Sequence, residues 1–356
     1  MRSSFLRFRF GPNLLAFLLA CSGTEAAPQT KPGSKLVTEE FKVPSDSGIE
    51  IFVRNKHPST MTNFDATKTV LFIHGAAGPS EVSFDLSLGG FSWMDFIADH
   101  GYDVYLMDVR GYGRSTRPPQ MSLPPTESAP VATTEQAVRD LAAVVEFIKH
   151  RRSINKLNVV GWSWGTLVAQ WYAANDANNV NKLVLYAPLW FRPTPPRASP
   201  TAGQFGAYSY ITGEQLRAEL FTGVPEDKKA NLIPDGWVDA WISALLDTDP
   251  EGWQQSPPAF RAPNGAMFDI TRYQSGATVP FDVKDIRVPV LLINAEWDAL
   301  TPSSMAQSLF VRLVNSPLKR YVELGEGTHI VDREKNRMML LREVQCFLDE
   351  PIQTGK

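Results

Sequence analysis

Lys156-Leu157-Asn158-Val159-Val160-Gly161-Trp162-Ser163-Trp164-Gly165-Thr166-Leu167-Val168-Ala169-Gln170-Trp171-Tyr172 is the stretch whose reading decides the fold. It opens with a short apolar, β-branched run of the kind that forms a buried parallel strand. It ends with Leu167, Val168, Trp171 and Tyr172 at helical spacing. Between the two lies Gly-x-Ser-x-Gly, the pattern of a turn so sharp that the serine is held strained with its hydroxyl exposed at the sheet edge. Gly161 and Gly165 fit such a turn, because a Cβ at either position would crowd the crossing backbone. The helix that follows aims its positive end at whatever Ser163 binds.

The pattern alone is weak: two glycines and a serine so spaced arise by chance in about one chain in ten of this length. Its context carries the weight. Apolar strands are expected at Thr69–Ile73, Asp103–Met107, Leu157–Val160, Lys182–Tyr186, Val290–Asn294 and Arg320–Leu324, with helices between them. The clearest helix runs over about Thr134 to Arg151, with a threonine cap and Val138, Leu141, Val145 and Ile148 on one face. A last helix is expected from Arg333 to Leu348, with Cys346 among its buried apolar residues. Glu39–Val43 and Glu50–Arg54 alternate with period two around Ser45-Asp46-Ser47-Gly48, a hairpin. A leading hairpin followed by strand–helix alternation gives an eight-stranded, mostly parallel sheet with helices on both faces.

Residues 190–284 break the alternation. They begin with the proline-rich Arg192-Pro193-Thr194-Pro195-Pro196 and continue with short amphipathic helices, such as Trp237–Leu246, and no parallel strand. About 95 residues without sheet is too long for a loop, so this segment reads as an inserted helical cap. It divides the core into 28–189 and 285–356. Its aromatic residues form mainly the cap's own core. Arg117–Thr133, with five prolines, should lie near the same rim.

At the other end, Arg2, Arg7 and Arg9 precede the short apolar run Leu14–Ala20 and then Cys21, which reads as an export signal over 1–27. Three outcomes stay open: cleavage before a lipidated Cys21, ordinary cleavage between Ala20 and Ala27, or a retained or mis-started N-terminus. The first two lead to an exported protein, periplasmic or extracellular. A net charge of −3 gives no basic footprint for nucleic acid. Hydrophobic content of 43 % suits a sizeable core. With two cysteines a disulfide framework is not expected, and no metal-ligand spacing or phosphate loop occurs.

The chemistry-bearing residues fall in the order nucleophile, acid, histidine. Ser163 stands at the turn, Glu296-Trp297-Asp298 just after one strand, and Gly327-Thr328-His329 just after the last. In parallel sheets catalytic groups collect beyond the carboxyl ends of strands. A serine hydroxyl needs a base, which His329 supplies, and the imidazole needs an orienting carboxylate. Asp298 is the first candidate and Glu296 the second. An oxyanion hole would draw on the backbone N–H groups of Trp164 and of Ala76, in His74-Gly75-Ala76-Ala77-Gly78. His74 should anchor that loop, and Asp108 and Arg110 should stabilise a turn. His57, His100 and His150 should be solvated.

Together with Asp108-Val109-Arg110-Gly111-Tyr112-Gly113-Arg114-Ser115 and Thr301-Pro302, these motifs resemble those of α/β-hydrolase fold enzymes across nearly the whole mature chain. The resemblance implies a cofactor-independent serine hydrolase acting on a small-molecule carboxylic ester or lactone, and the aromatic cap suggests a bulky or apolar one. Serine at the elbow argues against haloalkane dehalogenases and epoxide hydrolases, which carry aspartate there. Ser163-Trp164-Gly165-Thr166 also resembles proline iminopeptidases, although His-Gly-Ala-Ala-Gly departs from that family's His-Gly-Gly-Pro-Gly. An aminopeptidase would need a cap carboxylate for the substrate ammonium, with Glu214, Glu219 and Glu251 as candidates. A non-catalytic binding protein on the same fold is the rival from another class.

Overall fold

The structure, a computed structural model, describes residues 35–191 and 205–352. The expected export signal with Cys21, almost all of the tether after it, and Arg192–Pro196 lie outside the described residues. The described residues form one compact unit.

Eight strands make one sheet: β1 (Leu36–Pro44), β2 (Glu50–Pro58), β3 (Thr69–Ile73), β4 (Asp103–Met107), β5 (Leu157–Trp162), β6 (Val180–Tyr186), β9 (Val290–Ala295) and β10 (Lys319–Leu324), with β7 and β8 elsewhere. Their order is β1-β2-β4-β3-β5-β6-β9-β10. β1 pairs with β2, and β2 with β4, antiparallel, while the other neighbours are parallel. Alternate residues of the central strands feed two cores, as period-two side chains must. Leu71, Val159, Leu185 and Leu292 pack towards α3 (Thr134–Arg152) and α4 (Trp164–Asn175). Phe72, Val160, Val184 and Leu291 pack on the other face, towards α2 (Trp93–Asp99) and α10 (Arg337–Asp349).

The strand order places the site. Chain direction across the sheet reverses at β3, which lies between β4 and β5. Loops after β3 and β5 therefore diverge from a crevice between adjacent strands, where open α/β sheets bind ligands. In register, Ile73 lies beside Gly161, Trp162 beside Tyr186, Tyr186 beside Ile293, and Ala295 beside Leu324. The loops carrying Ala76, Ser163, Asp298 and His329 thus leave the sheet at one rim.

Between β6 and β9 the expectation of a strandless helical segment is corrected. β7 (Tyr208–Thr212) and β8 (Ala259–Pro263) form an antiparallel ribbon in full register. About 46 residues separate the two strands in sequence, so no local turn signal announces the pairing. Helices α5 (Gly213–Glu219), α6 (Trp237–Leu246), α7 (Pro250–Trp253) and α8 (Gly265–Gln274) complete the segment. Leu216, Trp241, Ile242, Leu245 and Phe260 cluster there with Val82 of α1 (Ser80–Phe84). Trp253 is largely exposed. Arg117 donates to the Thr248 carbonyl, and Val131 N–H to that of Ala207, so the proline-rich 117–133 stretch packs against this segment.

Three further expectations change. His57 is buried, with Nδ1 3.0 Å from the Pro58 carbonyl, because β2 lies inside the sheet rather than at its edge. The last helix begins at Arg337, after a 3-10 turn over Val331–Arg333. Cys346 is exposed, since Leu340, Leu341, Val344, Phe347 and Leu348 occupy the inward stripe of α10 and residue 346 falls outside it.

Candidate active site

Ser163 stands at the N-cap of α4 with φ 54° and ψ −121°, a conformation that costs a non-glycine residue on the order of 1–3 kcal/mol. The neighbourhood enforces it. A Cβ on Gly161 would lie 2.5 Å from the Gly165 carbonyl oxygen, and one on Gly165 would lie 2.5 Å from those of Ile73 and His74. Only glycines let β5, α4 and the loop after β3 cross so closely. Ser163 N–H donates to Tyr186 O (3.0 Å), and its carbonyl accepts from the Thr166 hydroxyl (2.5 Å) and N–H (2.9 Å).

His329 Nε2 lies 2.8 Å from Ser163 Oγ, and its Nδ1 lies 2.9 Å from Asp298 Oδ2. The Asp298 side chain is fully buried. It accepts from Leu300 N–H (2.9 Å), Thr301 N–H (2.8 Å) and the Thr301 hydroxyl (2.6 Å). Three donors hold the carboxylate so that Oδ2 faces the ring. Glu296, the alternative acid, is exposed and accepts from Glu326 N–H at 2.9 Å. The structure therefore brings Ser163, His329 and Asp298 together and leaves Glu296 capping a turn.

The loop after β3 runs against Ser163: a Cβ on Gly75 would lie 3.1 Å from Ser163 Cβ. His74 anchors it with Nδ1 2.7 Å from Gly75 O and Nε2 accepting from Val109 N–H at 3.0 Å. Complete burial pushes the His74 pKa down to about 4, so the ring is neutral, a donor at Nδ1 and an acceptor at Nε2. Asp108 accepts from Ser80 N–H and from Arg114 N–H, tying the loop's far end to the turn after β4. Arg110 is buried against Asp140 and Asp46. The backbone N–H groups of Ala76 and Trp164 find no acceptor among the described residues. Trp164 is the first residue of α4, where N–H groups point outward without helical partners.

Sequence reasoning missed four side chains that fix the histidine turn. The His329 carbonyl accepts from Trp162 Nε1 (3.1 Å) and from the Tyr186 hydroxyl (2.9 Å). The Thr328 N–H donates to Glu334 at 3.0 Å, and Thr328 Oγ1 donates to the other oxygen of the same carboxylate. Thr301 was visible only as part of a motif, not as the hydroxyl that orients Asp298. Trp162 and Tyr186 could have been noticed as polar-tipped residues at the last positions of two central strands. No sequence signal marks Glu334.

Ser163, His329 and Ala76 open into a cavity of about 640 Å³, the size usual for small-molecule sites. Its apolar wall includes Phe205, Ile211, Trp241, Met267, Leu300 and Ile330. Of the aromatic residues between β6 and β9, Phe205 and Trp241 thus face it. Glu219 also lines it, whereas Glu251 pairs with Arg261 at 2.6 Å and Glu214 is not among the lining residues.

A proline iminopeptidase from Neisseria gonorrhoeae is 25 % identical over 282 residues, covering 72 % of this chain and 82 % of that protein. A probable lysophospholipase L2 from Haemophilus influenzae is 31 % identical over 270 residues, covering 72 % and 79 %. Among solved structures, a meta-cleavage product hydrolase from Pseudomonas fluorescens superposes with a TM-score of 0.57 at 16 % identity, over 87 % of this chain and 97 % of that one. The family model described as the alpha/beta hydrolase fold matches residues 68–331, and the chain belongs to that family.

Proposed function

We propose that the protein is a serine hydrolase that cleaves a carboxylic ester or lactone through an acyl-enzyme on Ser163. The observation that carries this reading is the continuous relay from Ser163 Oγ through His329 to Asp298, at 2.8 and 2.9 Å, beside an apolar cavity. His329 Nε2 takes the Ser163 proton as Oγ attacks the carbonyl carbon. Asp298 holds the proton on Nδ1 and stabilises the imidazolium. The N–H groups of Ala76 and Trp164 receive the developing oxyanion, a contribution of about 3–4 kcal/mol per donor in comparable sites. The imidazolium then protonates the leaving alkoxide, and water activated by His329 releases the acid and regenerates Ser163.

A fluorophosphonate probe should label the wild-type protein on Ser163 and spare Ser163→Ala. Absence of labelling in the folded wild type would instead favour a binding protein on this fold. Among p-nitrophenyl esters of graded length, turnover should extend to bulky apolar acyl groups that the cavity can take. Turnover confined to the acetate would overturn that part.

Glu219 favours a second reading, an aminopeptidase, because it brings a carboxylate to the cavity wall where a substrate ammonium could be held. Turnover of prolyl-naphthylamide without ester turnover would select it. We also propose that residues 1–27 direct export. The intact mass of the mature protein distinguishes a lipidated Cys21 from cleavage nearer Ala27.

A further inference from the structure

The turn that carries His329 rests on a buried acid. Glu334 follows the 3-10 turn over Val331–Arg333 and folds its carboxylate back against Thr328, the residue before His329. Glu334 is fully buried, and both of its oxygens are engaged by Thr328, one by the N–H at 3.0 Å and one by the hydroxyl. Thr328 Oγ1 also accepts from Ile330 N–H at 3.3 Å. The same hydroxyl therefore ties the residue before His329 to the residue after it.

We propose that Glu334 is a positioning residue for His329, holding the imidazole in register with Ser163 only while its carboxylate is ionised. The proposal rests on the catalytic reading of Ser163, His329 and Asp298. A carboxylate accepts both Thr328 donors. Once protonated, it must itself donate. The Thr328 N–H cannot reverse, so the hydroxyl has to turn and accept, and the clamp across the turn changes its pattern.

The surroundings set that ionisation near neutrality. Burial, with the like charge of Asp332 beside it, raises Glu334 to about 7 against the opposing pull of the Thr328 donors and the Arg333 guanidinium. Arg333 is itself paired to Asp332 at 2.8 Å, and the Tyr186 hydroxyl faces Asp332 from β6 at 3.2 Å. From α10, Arg337 gives Glu334 only its backbone N–H, its guanidinium being turned to the Leu88 and Phe91 carbonyls. The neighbouring Lys335 pairs with Glu326.

Glu334→Gln reproduces the protonated pattern permanently, its amide NH2 donating to the Thr328 hydroxyl. The ratio of wild-type to E334Q kcat/KM on a p-nitrophenyl ester should be about tenfold at pH 8.5, the effect of one charge-assisted hydrogen bond. It should shrink to within about twofold at pH 5.5, where the wild type has taken up the same proton. Ionisations common to both proteins cancel in the ratio. A ratio that stays constant with pH, or that is near one throughout, overturns the proposal. Should E334Q fail to fold, Thr328→Val removes the hydroxyl through which the carboxylate acts: its kcat/KM should lie about tenfold below the wild type's at pH 8.5, and activity within about twofold of the wild type there overturns the proposal. Fluorophosphonate labelling of the wild type is run alongside. If it succeeds while the ratio is flat, the role of Glu334 falls and the hydrolase stands; if it fails, the catalytic reading itself has fallen.

Discussion

Asp298 and Glu296 stand two residues apart after the same strand, and only one meets the histidine. Asp298 is buried with three donors and lies 2.9 Å from His329 Nδ1, while Glu296 is exposed and caps the turn at Glu326. Asp298→Asn keeps the shape but reverses a donor towards Nδ1–H. It should lower kcat by roughly 10³–10⁴-fold with little change in KM. Glu296→Gln should stay within about twofold. Steady-state kinetics on one ester checks both, and the opposite ranking would move the acid to Glu296. The sequence left this choice open because either carboxylate sits at the correct strand end. Burial and the Thr301 hydroxyl decide it, and neither is written in spacing.

At the scale of elements, two contacts set the geometry. The first is the crossing of β5 and α4 at Gly161 and Gly165. Gly161→Ala places a Cβ 2.5 Å from a backbone oxygen that cannot move aside cheaply. It should cost about 2–3 kcal/mol, as overpacking does, read as a lowered urea midpoint, with loss of fluorophosphonate labelling. The second is the buried pair that fixes β8 to α7. Arg261 meets Asp249 through Nε (2.8 Å) and Nη2 (2.7 Å), and also donates to the Met121 carbonyl. Arg261→Ala leaves the buried Asp249 carboxylate with only the residue-261 N–H and the Arg117 guanidinium 3.6 Å away, and should cost about 3 kcal/mol. The double variant Arg261→Ala, Asp249→Ala should recover part of that loss, and additive losses in a double-mutant cycle would refute the coupling. The strands of the main sheet were legible because each is a short apolar run between turn signals. β7 and β8 were not: Tyr208–Thr212 is short and half-exposed, and its partner lies far along the chain.

For the whole molecule, the buried ionisable groups give stability a pH dependence of definite sign. Burial raises Asp108 and Glu334 to about 7 each, so between about pH 4.5 and 7 the folded protein binds more protons than the unfolded chain. Stability therefore falls as pH rises through that window and levels off above 7. Buried His74, lowered to about 4, works the other way between about 4 and 6.5 and offsets one of the two carboxyls. Below about pH 4 the paired carboxylates take over. Glu40, held near 2 chiefly by its hydrogen bond to Arg114, and Asp249, lowered by Arg261 against its burial, lose their stabilisation on protonation. The urea midpoint should be higher at pH 5.5 than at pH 8 and should drop again below pH 4. Asp108→Asn should flatten the slope between 5.5 and 8, and an unchanged slope would remove Asp108 from the account.

The sequence by itself determined the eight-stranded sheet, the sharp turn at Ser163 and the order serine, acid, histidine. Period-two and helical hydrophobicity and glycine spacing are local properties that a chain carries before it folds. Tertiary structure alone decided which carboxylate faces His329, that Phe205, Trp241 and Glu219 line the cavity, and that Trp162, Tyr186 and Glu334 hold the histidine turn. Those outcomes depend on which atoms are desolvated together. Desolvation is a property of packed neighbours from distant parts of the chain, and no spacing rule within one segment encodes it.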